Sequence, residues 1–521
     1  MNRQELLQTF ALAGEFKEGD LMVGGTQDEQ LRAEARRKLS NLRLGDIAKT
    51  IFVEDSLSEL LAGATDKNLM REISSLSVGS ARRMLLAGGS AEMWWQRYRD
   101  GLTSEMIAAI IKLMTNEELA AVCRSVFNPL PGDSSPGNSI ENGVMVGSAR
   151  HLGAFIQANN PSEDEEEILF SILEGLSYGC GDVLLGMTPA YNDAESIVRL
   201  VRLQASIVER LNLPARFCVM TGIATQAEIR SQVKLDVAFQ SLAGTSKALM
   251  TMTGLDAADL IELAAGFGGL CFETGQGTEL VGDNAEGVDM ATLESRAFGL
   301  ARCLRKQIEQ QRNPVWPVWM VVNSLVGLNS QQAFRSSEQM LRASLESVAT
   351  AKLHGLTVGL DVCSTFQSDI EPAALRQLTA QIAEQASPAF LNSIAGNADL
   401  LLGHLTTSFR EHPALRRLTG RQITSAMTRR LKELGVINGN GLPAAHSLTT
   451  AKLYSQFVRA GGDARSQETL QAEGLKKLER LKQQGFDLGY GHLADYAAPK
   501  EVERKMEAIY RQARNGMHAK F

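Results

Sequence analysis

Residues 183–221 read VLLGMTPAYNDAESIVRLVRLQASIVERLNLPARFCVMT. Two short apolar runs, Val183 to Thr188 and Arg216 to Thr221, flank a stretch in which Ile197, Leu200, Val201, Ala205 and Val208 recur at three- and four-residue spacing beside Arg199, Arg202 and Glu209. A helical period between two apolar runs predicts strand, amphipathic helix, strand, and a connection of this length joins strands that run parallel. The same rhythm repeats along the chain. Candidate strands are Gly153 to Gln157, Val183 to Thr188, Arg216 to Thr221, Val237 to Ser241, Gly269 to Glu273, Val318 to Asn323, Leu356 to Asp361 and Asp399 to His404. Eight strands alternating with helices predict an α/β fold of the (β/α)8 TIM-barrel type.

Outward from the barrel the character changes. Residues 1–130 interleave charged runs such as Arg32 to Lys38 with apolar positions and predict an N-terminal helical domain. Phe127 to Asn142 concentrates Pro, Gly, Ser and Asn, which places a linker over 131–150 and the barrel over 151–435. Residues 436–521 open on the loop-like GVINGNGL at 435–442 and include a charged amphipathic helix at Leu475 to Lys482, so they form a helical C-terminal extension. Ser162, followed by Glu163, Asp164 and Glu165, fits a capping box, and this acidic run is expected to be structural.

The chain of 521 residues carries a formal charge of -7, which offers no basic field for nucleic acid or an anionic membrane. No stretch approaches the ~18 apolar residues of a membrane span, and a cytoplasmic protein is expected. Six cysteines lie far apart without zinc-ligand spacing, so they read as reduced and buried, with no metal site.

Chemistry in such barrels sits where the C-terminal strand ends converge. Those ends carry Gln157, Thr188, Thr221, Gln240, Glu273, Asn323, Asp361 and His404. Burying such polar groups is costly unless they are paired or await a ligand. Glu273 and Asp361 together could hold an ammonium group by charge-assisted hydrogen bonds, although either could instead pair with a barrel Arg or Lys. Gln157 could add a neutral hydrogen bond. A lone strand-end histidine such as His404 is more often a satisfied structural group than a base. The glycines of FETGQG at 272–277 allow close approach to a ligand but are a weak signal alone. G-x-G-x-x-G at a strand-helix junction, a Walker lysine motif and the cobalt-ligating D-x-H-x-x-G are all absent from the sequence. Spacing alone thus points to an amine-handling barrel whose reaction is open.

Six ordered segments go further: GLTSEMI at 101–107, EGLSYGCGD at 174–182, FQSLAG at 239–244, CFETGQG at 271–277, ESRAFGLAR at 294–302 and KLHGLTVGLD at 352–361. In order and spacing, from about residue 15 to about 440, the chain resembles the large catalytic subunit of ethanolamine ammonia-lyase. The resemblance implies a barrel holding adenosylcobalamin, base-on, over its mouth against a separate small subunit, in a homo-oligomer of dimers or trimers of dimers. It implies radical release of ammonia from an amino alcohol. Gln157, Glu273 and Asp361 match the family's catalytic and substrate-contacting positions. Pro189, Gln240, Ser241, Val281 and Leu401 fall at cofactor-side positions.

The departures matter as much. Where the family has an Arg and an Asn against the substrate hydroxyl, this chain has Phe155 and Thr188; a pocket phenylalanine is Leu328 and an asparagine is Phe366. Near the cofactor a Glu is Thr251, a Ser is Val281 and a Met is Leu401. Losing the Arg removes a cation and its fork of donors, so the expected substrate is ethanolamine or a larger or less polar analogue, with the analogue better suited to this pocket. Gln307 to Pro317 reads as an insertion, and the last ~80 residues have no family counterpart. The leading reading is a cobalamin-dependent ammonia-lyase-like enzyme. Two alternatives are a cofactor-free barrel that kept the amine site as a binding or regulatory protein, and a scaffold recruiting a partner through its C-terminal helices.

Overall fold

A computed structural model describes residues 1–130, 143–280, 284–312, 317–327, 333–365, 370–437 and 446–484. Eight parallel strands form the central sheet: β1 (Gly153–Gln157), β2 (Leu184–Met187), β3 (Arg216–Val219), β4 (Val237–Ser241), β5 (Gly269–Thr274), β6 (Trp319–Val326), β7 (Thr357–Val362) and β8 (Phe390–Ser393). β1 pairs with both β2 and β8, and the order runs on through β7, β6 and β5 to β4. The seam between β3 and β4 is closed by side chains. The Asp236 carboxylate accepts the Phe217 N–H at 3.1 Å, while the Gln226 amide donates to the carbonyls of Thr221 and Phe239 at 2.6 and 2.9 Å. This is the TIM-like barrel that the strand-helix rhythm predicts.

The eighth strand differs from the sequence expectation. Ala398–Asp399 and His404–Leu405 join Ser364–Thr365 in a small antiparallel sheet, and β8 lies earlier, at Phe390–Ser393. The apolar run Leu400 to Leu402 imitates a strand, but the Asp399 carboxylate accepts the N–H groups of Leu401 and Leu402 and winds it into a turn. The capping box at Ser162 is a second correction. Asp164 caps the helix Glu165–Ser177 by accepting from Glu166 and Glu167, and Ser162 donates to Asn160 instead. Glu163, at φ 50°, turns its buried carboxylate onto the N–H groups of Ala190 and Tyr191.

The barrel interior is a layer of apolar side chains that includes Phe155, Leu184, Cys218, Phe239, Cys271, Val321 and Phe390. Two glycines make room for the rings: a Cβ on Gly186 would lie 2.2 Å from Phe155, and one on Gly359 would lie 2.1 Å from Phe390. All six cysteines are buried and form no disulfide.

Helices of the first 125 residues share one core with the barrel helices Met290–Gln311 and Ser337–Leu353. Buried ions cross the same contact. Lys17 reaches Glu346 at 2.7 Å, as does Arg342, and Arg296 joins Glu105, Asp55 and the Gly244 carbonyl. Burial alone would raise the Glu346 carboxyl, but Lys17 and Arg342 outweigh it and hold the group well below the usual range. At the other end, His446–Ala460 and Gln467–Gln483 pack on one another, and the first of them packs on Glu165–Ser177. Leu453, Phe457 and Leu478 enter a core with Ile168 and Leu173, and Tyr454 stacks on Phe170 at 5.2 Å. Among the described residues no helix is long and apolar enough to cross a membrane.

Candidate active site

Side chains alternate along a strand, so the inward set can be read from the register. Phe155 and Phe239 face inward, and so must Gln157 and Ser241 two residues on. Ser241 is level with Glu273, and Glu273 with Asn323. Cys271 and Val321 in turn fix Glu273 and Asn323 as inward positions, and Gly359, level with Asn323, does the same for Asp361. On β8, Asn392 follows Phe390 inward. One open end of the barrel therefore gathers Gln157, Ser241, Glu273, Asn323, Asp361 and Asn392.

Their bonds are incomplete. The Asn323 amide donates to Glu273 Oε2 at 3.0 Å, and the Thr406 hydroxyl donates to Asp361 Oδ1 at 2.6 Å. Asn392 makes only a long contact, 3.5 Å, to Gln157 Oε1, while Gln157 Nε2 has the Met220 sulfur at 3.8 Å. The buried Oδ1 atoms of Asn323 and Asn392 have no partner, nor has either ring nitrogen of His404. Such a concentration of unmet polar atoms is the mark of a site shaped for a ligand. Among the described residues neither Glu273 nor Asp361 makes an ion pair, which removes the reading in which a barrel Arg or Lys neutralises them. Loss of solvent pushes the Glu273 carboxyl up to about 7, with the Asp361 charge adding to the rise and the Asn323 donor opposing it.

His404 does not fit the expectation of a satisfied structural histidine. It is fully buried, in register with Thr365, and its ring lies in a group with the Asp361 carboxylate and Cys363 thiol, ligand atoms all within 4.8 Å of one another. Cys363, Asn392 and Thr406 lie with this candidate cluster, and the sequence reading missed them. Asn392 was hidden by the misplaced eighth strand. Cys363 carried a signal, since it lies two residues beyond Asp361 and must face the same way.

Around the mouth, Thr188, Pro189, Ser241 and Leu401 are half-buried, and Leu402 is exposed. The Thr188 N–H is held by Asn159 Oδ1 at 2.6 Å, which with the Glu163 carboxylate fixes the turn after β2. Gln240 faces the opposite way from Ser241: its Oε1 accepts the Ile223 N–H at 2.9 Å and its amide donates to the Ser241 carbonyl, so its polar atoms are already used. Phe155 is fully buried one layer beneath Gln157, with the Phe390 ring 6.4 Å away. Thr221 donates to Asn192 at 2.5 Å. Thr251 is exposed on its helix and bonds its own backbone at Lys247. Val281, Leu328 and Phe366 lie outside the described residues. Of the expected insertion, residues 307–312 and 317 are described and lie ahead of the N-terminal end of β6, remote from the mouth; Arg312 there bonds the Phe267 carbonyl just before β5.

A profile of the family described as ethanolamine ammonia lyase large subunit (EutB) matches residues 2–446. The chain belongs to that family. It is similar to the ethanolamine ammonia-lyase large subunit of Escherichia coli strain K12, at 27% identity over 448 residues, covering 83% of this chain and 93% of the relative. The same identity and coverage relate it to the large subunit of Salmonella typhimurium. The family is one of carbon–nitrogen lyases, and this chain is a divergent member of it. Of the last two helices, His446–Ala460 begins at the final matched residue and Gln467–Gln483 lies wholly outside the family match.

The segments that carry the resemblance make structural contacts with one another. In ESRAFGLAR, Arg296 reaches Glu105 of GLTSEMI, and Arg302 donates to the Leu102 carbonyl of the same segment. In KLHGLTVGLD, Lys352 donates to the Ser387 carbonyl, and His354 meets Ser104 at 3.2 Å. Several of these segments are thus struts joining the N-terminal helices to the barrel, and the mouth is reached by Ser241 of FQSLAG, Glu273 of CFETGQG and Asp361 of KLHGLTVGLD.

Proposed function

We propose that this chain is the catalytic subunit of an ammonia-lyase that releases ammonia from a small amine, with an aliphatic amino alcohol larger or less polar than ethanolamine as the best substrate. The observation that carries the reading is the convergence of Glu273 and Asp361 without a basic partner, beside polar atoms of Asn323, Asn392 and Gln157 that lack full hydrogen bonding. An ammonium group supplies the missing charge and donors together. Glu273 and Asp361 take the cation, and Gln157 orients the adjacent carbon or hydroxyl. Phe155 offers no donor where relatives are expected to have an arginine. A less polar substrate suits this wall better, with Thr188 as the remaining hydroxyl nearby.

The mouth fits a large amphipathic group laid across it. Its rim mixes half-buried Thr188, Pro189, Ser241 and Leu401 with exposed Leu402, and Pro189, Ser241 and Leu401 would hold adenosylcobalamin there. Gln240 would act through the backbone it braces. Bound adenosylcobalamin would supply a carbon radical for hydrogen abstraction; the chain's own part is to bind the amine, fix its orientation and exclude water. A separate small subunit would complete the cofactor site, in a homo-oligomer. Six buried free thiols suit a cytoplasmic enzyme.

The test is ammonia release from a panel of primary amines and amino alcohols, with adenosylcobalamin and the co-isolated small subunit. Turnover with longer amino alcohols, abolished in Glu273→Gln and Asp361→Asn, supports the reading. Unchanged turnover in Glu273→Gln would overturn it.

A further inference from the structure

We propose that Asp361, Cys363 and His404 form a binding site for a zinc-like divalent cation, with three protein ligands and one open position, at the floor of the barrel mouth. Strand geometry brings the three together. Asp361 and Cys363 are two residues apart on one extended run, so their side chains share a face. His404 opposes Thr365 in an antiparallel bridge, and directly opposed residues project to the same side, which is also the side of Asp361 and Cys363. Thr406, two residues beyond His404, shares that face too, and its hydroxyl bond to Asp361 at 2.6 Å confirms the geometry.

The second observation is the histidine itself. His404 is wholly buried, yet neither ring nitrogen has a hydrogen-bond partner. A buried imidazole left unsatisfied is expensive, and its lone pair lies within 4.8 Å of a carboxylate and a thiol. Tetrahedral zinc sites bring sulfur and nitrogen ligands to roughly 3.5 Å of one another, so a side-chain adjustment of about 1 Å completes the set. Thiolate, imidazole and carboxylate together favour zinc and its neighbours and disfavour magnesium and calcium. Thr406 occupies one oxygen of Asp361, leaves the other for the metal, and supplies the outer hydrogen bond that orients a ligating carboxylate.

Charge balance favours the same occupant. On binding, the Cys363 S–H bond breaks, its proton leaves to solvent, and sulfur, His404 nitrogen and Asp361 oxygen form bonds to the cation. Thiolate and carboxylate contribute two negative charges, so a divalent ion leaves the buried cluster neutral. The fourth position is open to water or a small ligand. Because Asp361 is also assigned to the ammonium group under the proposed function, zinc and amine exclude one another; only this consequence rests on that reading.

The purified chain, stripped with a chelator and free of cobalamin, is titrated with Zn2+ against a chromogenic chelator and, separately, with Co2+ as a spectroscopic probe. One Zn2+ per chain is expected, with a thiolate-to-metal absorption band on Co2+ addition. Cys363→Ser should abolish the band, and His404→Phe should weaken Zn2+ binding by at least about tenfold, the loss typical of a damaged zinc shell. Circular dichroism of both variants verifies folding, and Cys303→Ser, on the barrel helix Met290–Gln311 away from the mouth, should retain the band. Substoichiometric binding, or affinity that neither variant alters, overturns the site. Ethanolamine should raise the apparent Zn2+ dissociation constant. Stoichiometric zinc binding untouched by any small amine would leave the metal site standing and overturn the placement of ammonium at Asp361.

Discussion

Glu273→Gln separates stability from function in a way that few other substitutions here would. The carboxyl is moved from 4.5 to about 7 by loss of solvent in the mouth. Between those two pH values the folded chain holds a proton that the unfolded chain has released, so stability falls as pH rises through the window, and the full penalty is present above pH 7. At about 1.36 kcal/mol for each tenfold change in proton affinity, the interval corresponds to about 3 kcal/mol. Glutamine carries no charge to desolvate and can still accept the Asn323 hydrogen bond. Glu273→Gln should therefore melt higher than the parent at pH 8, by an amount equivalent to at most about 3 kcal/mol, and equally near pH 4.5. The assay is thermal unfolding of both proteins across that pH range without amine. The same variant should lose about 10- to 100-fold in amine affinity, the cost of one charge-assisted hydrogen bond. Equal or lower melting at pH 8, or a gain that persists unchanged at pH 4.5, would refute the claim that Glu273 is held ionised at a cost for the sake of a cation.

Amine binding should itself follow Glu273: with the carboxyl at about 7, the dissociation constant at pH 6 should be about tenfold weaker than at its plateau above pH 8, measured by calorimetry. Phe155→Ala should cost about 3–5 kcal/mol by emptying the barrel centre above Gly186, read as a lower unfolding midpoint. Arg296→Ala strands Asp55 and Glu105 and should destabilise by about 3–5 kcal/mol, with limited proteolysis showing the N-terminal helices released first. Ending the chain at residue 445 uncovers Ile168, Phe170 and Leu173, and should increase binding of a hydrophobic dye even if the barrel still folds.

Seven of the eight barrel strands were legible because each is a short apolar run bounded by a helical period. β8 was not, because Phe390 to Ser393 offers only four residues of alternation beside the more apolar Leu400 to Leu402, and only the hydrogen bonds that Asp399 accepts from Leu401 and Leu402 show that the latter is a turn. That one displacement hid Asn392 and made His404 look like a strand end. Gln157, Glu273 and Asp361 were legible from strand position and type. Gln240 also ends a strand, but one residue of alternation turns it away from the mouth, toward Ile223. The pairing of Cys363 with His404 depends on a bridge between segments about forty residues apart, a distance no local pattern encodes.

Radical ammonia release is the chemistry proposed for this mouth. The most direct measurement is the visible spectrum of the chain with its co-isolated small subunit and adenosylcobalamin, recorded anaerobically as small amines are added one at a time. Radical release would appear as loss of the cobalt(III) bands, with ammonia formed, for at least one amino alcohol, and as no such change in Glu273→Gln. An unaltered spectrum with every amine, while calorimetry shows those amines bound, would contradict it and leave a barrel that binds amines without the cofactor.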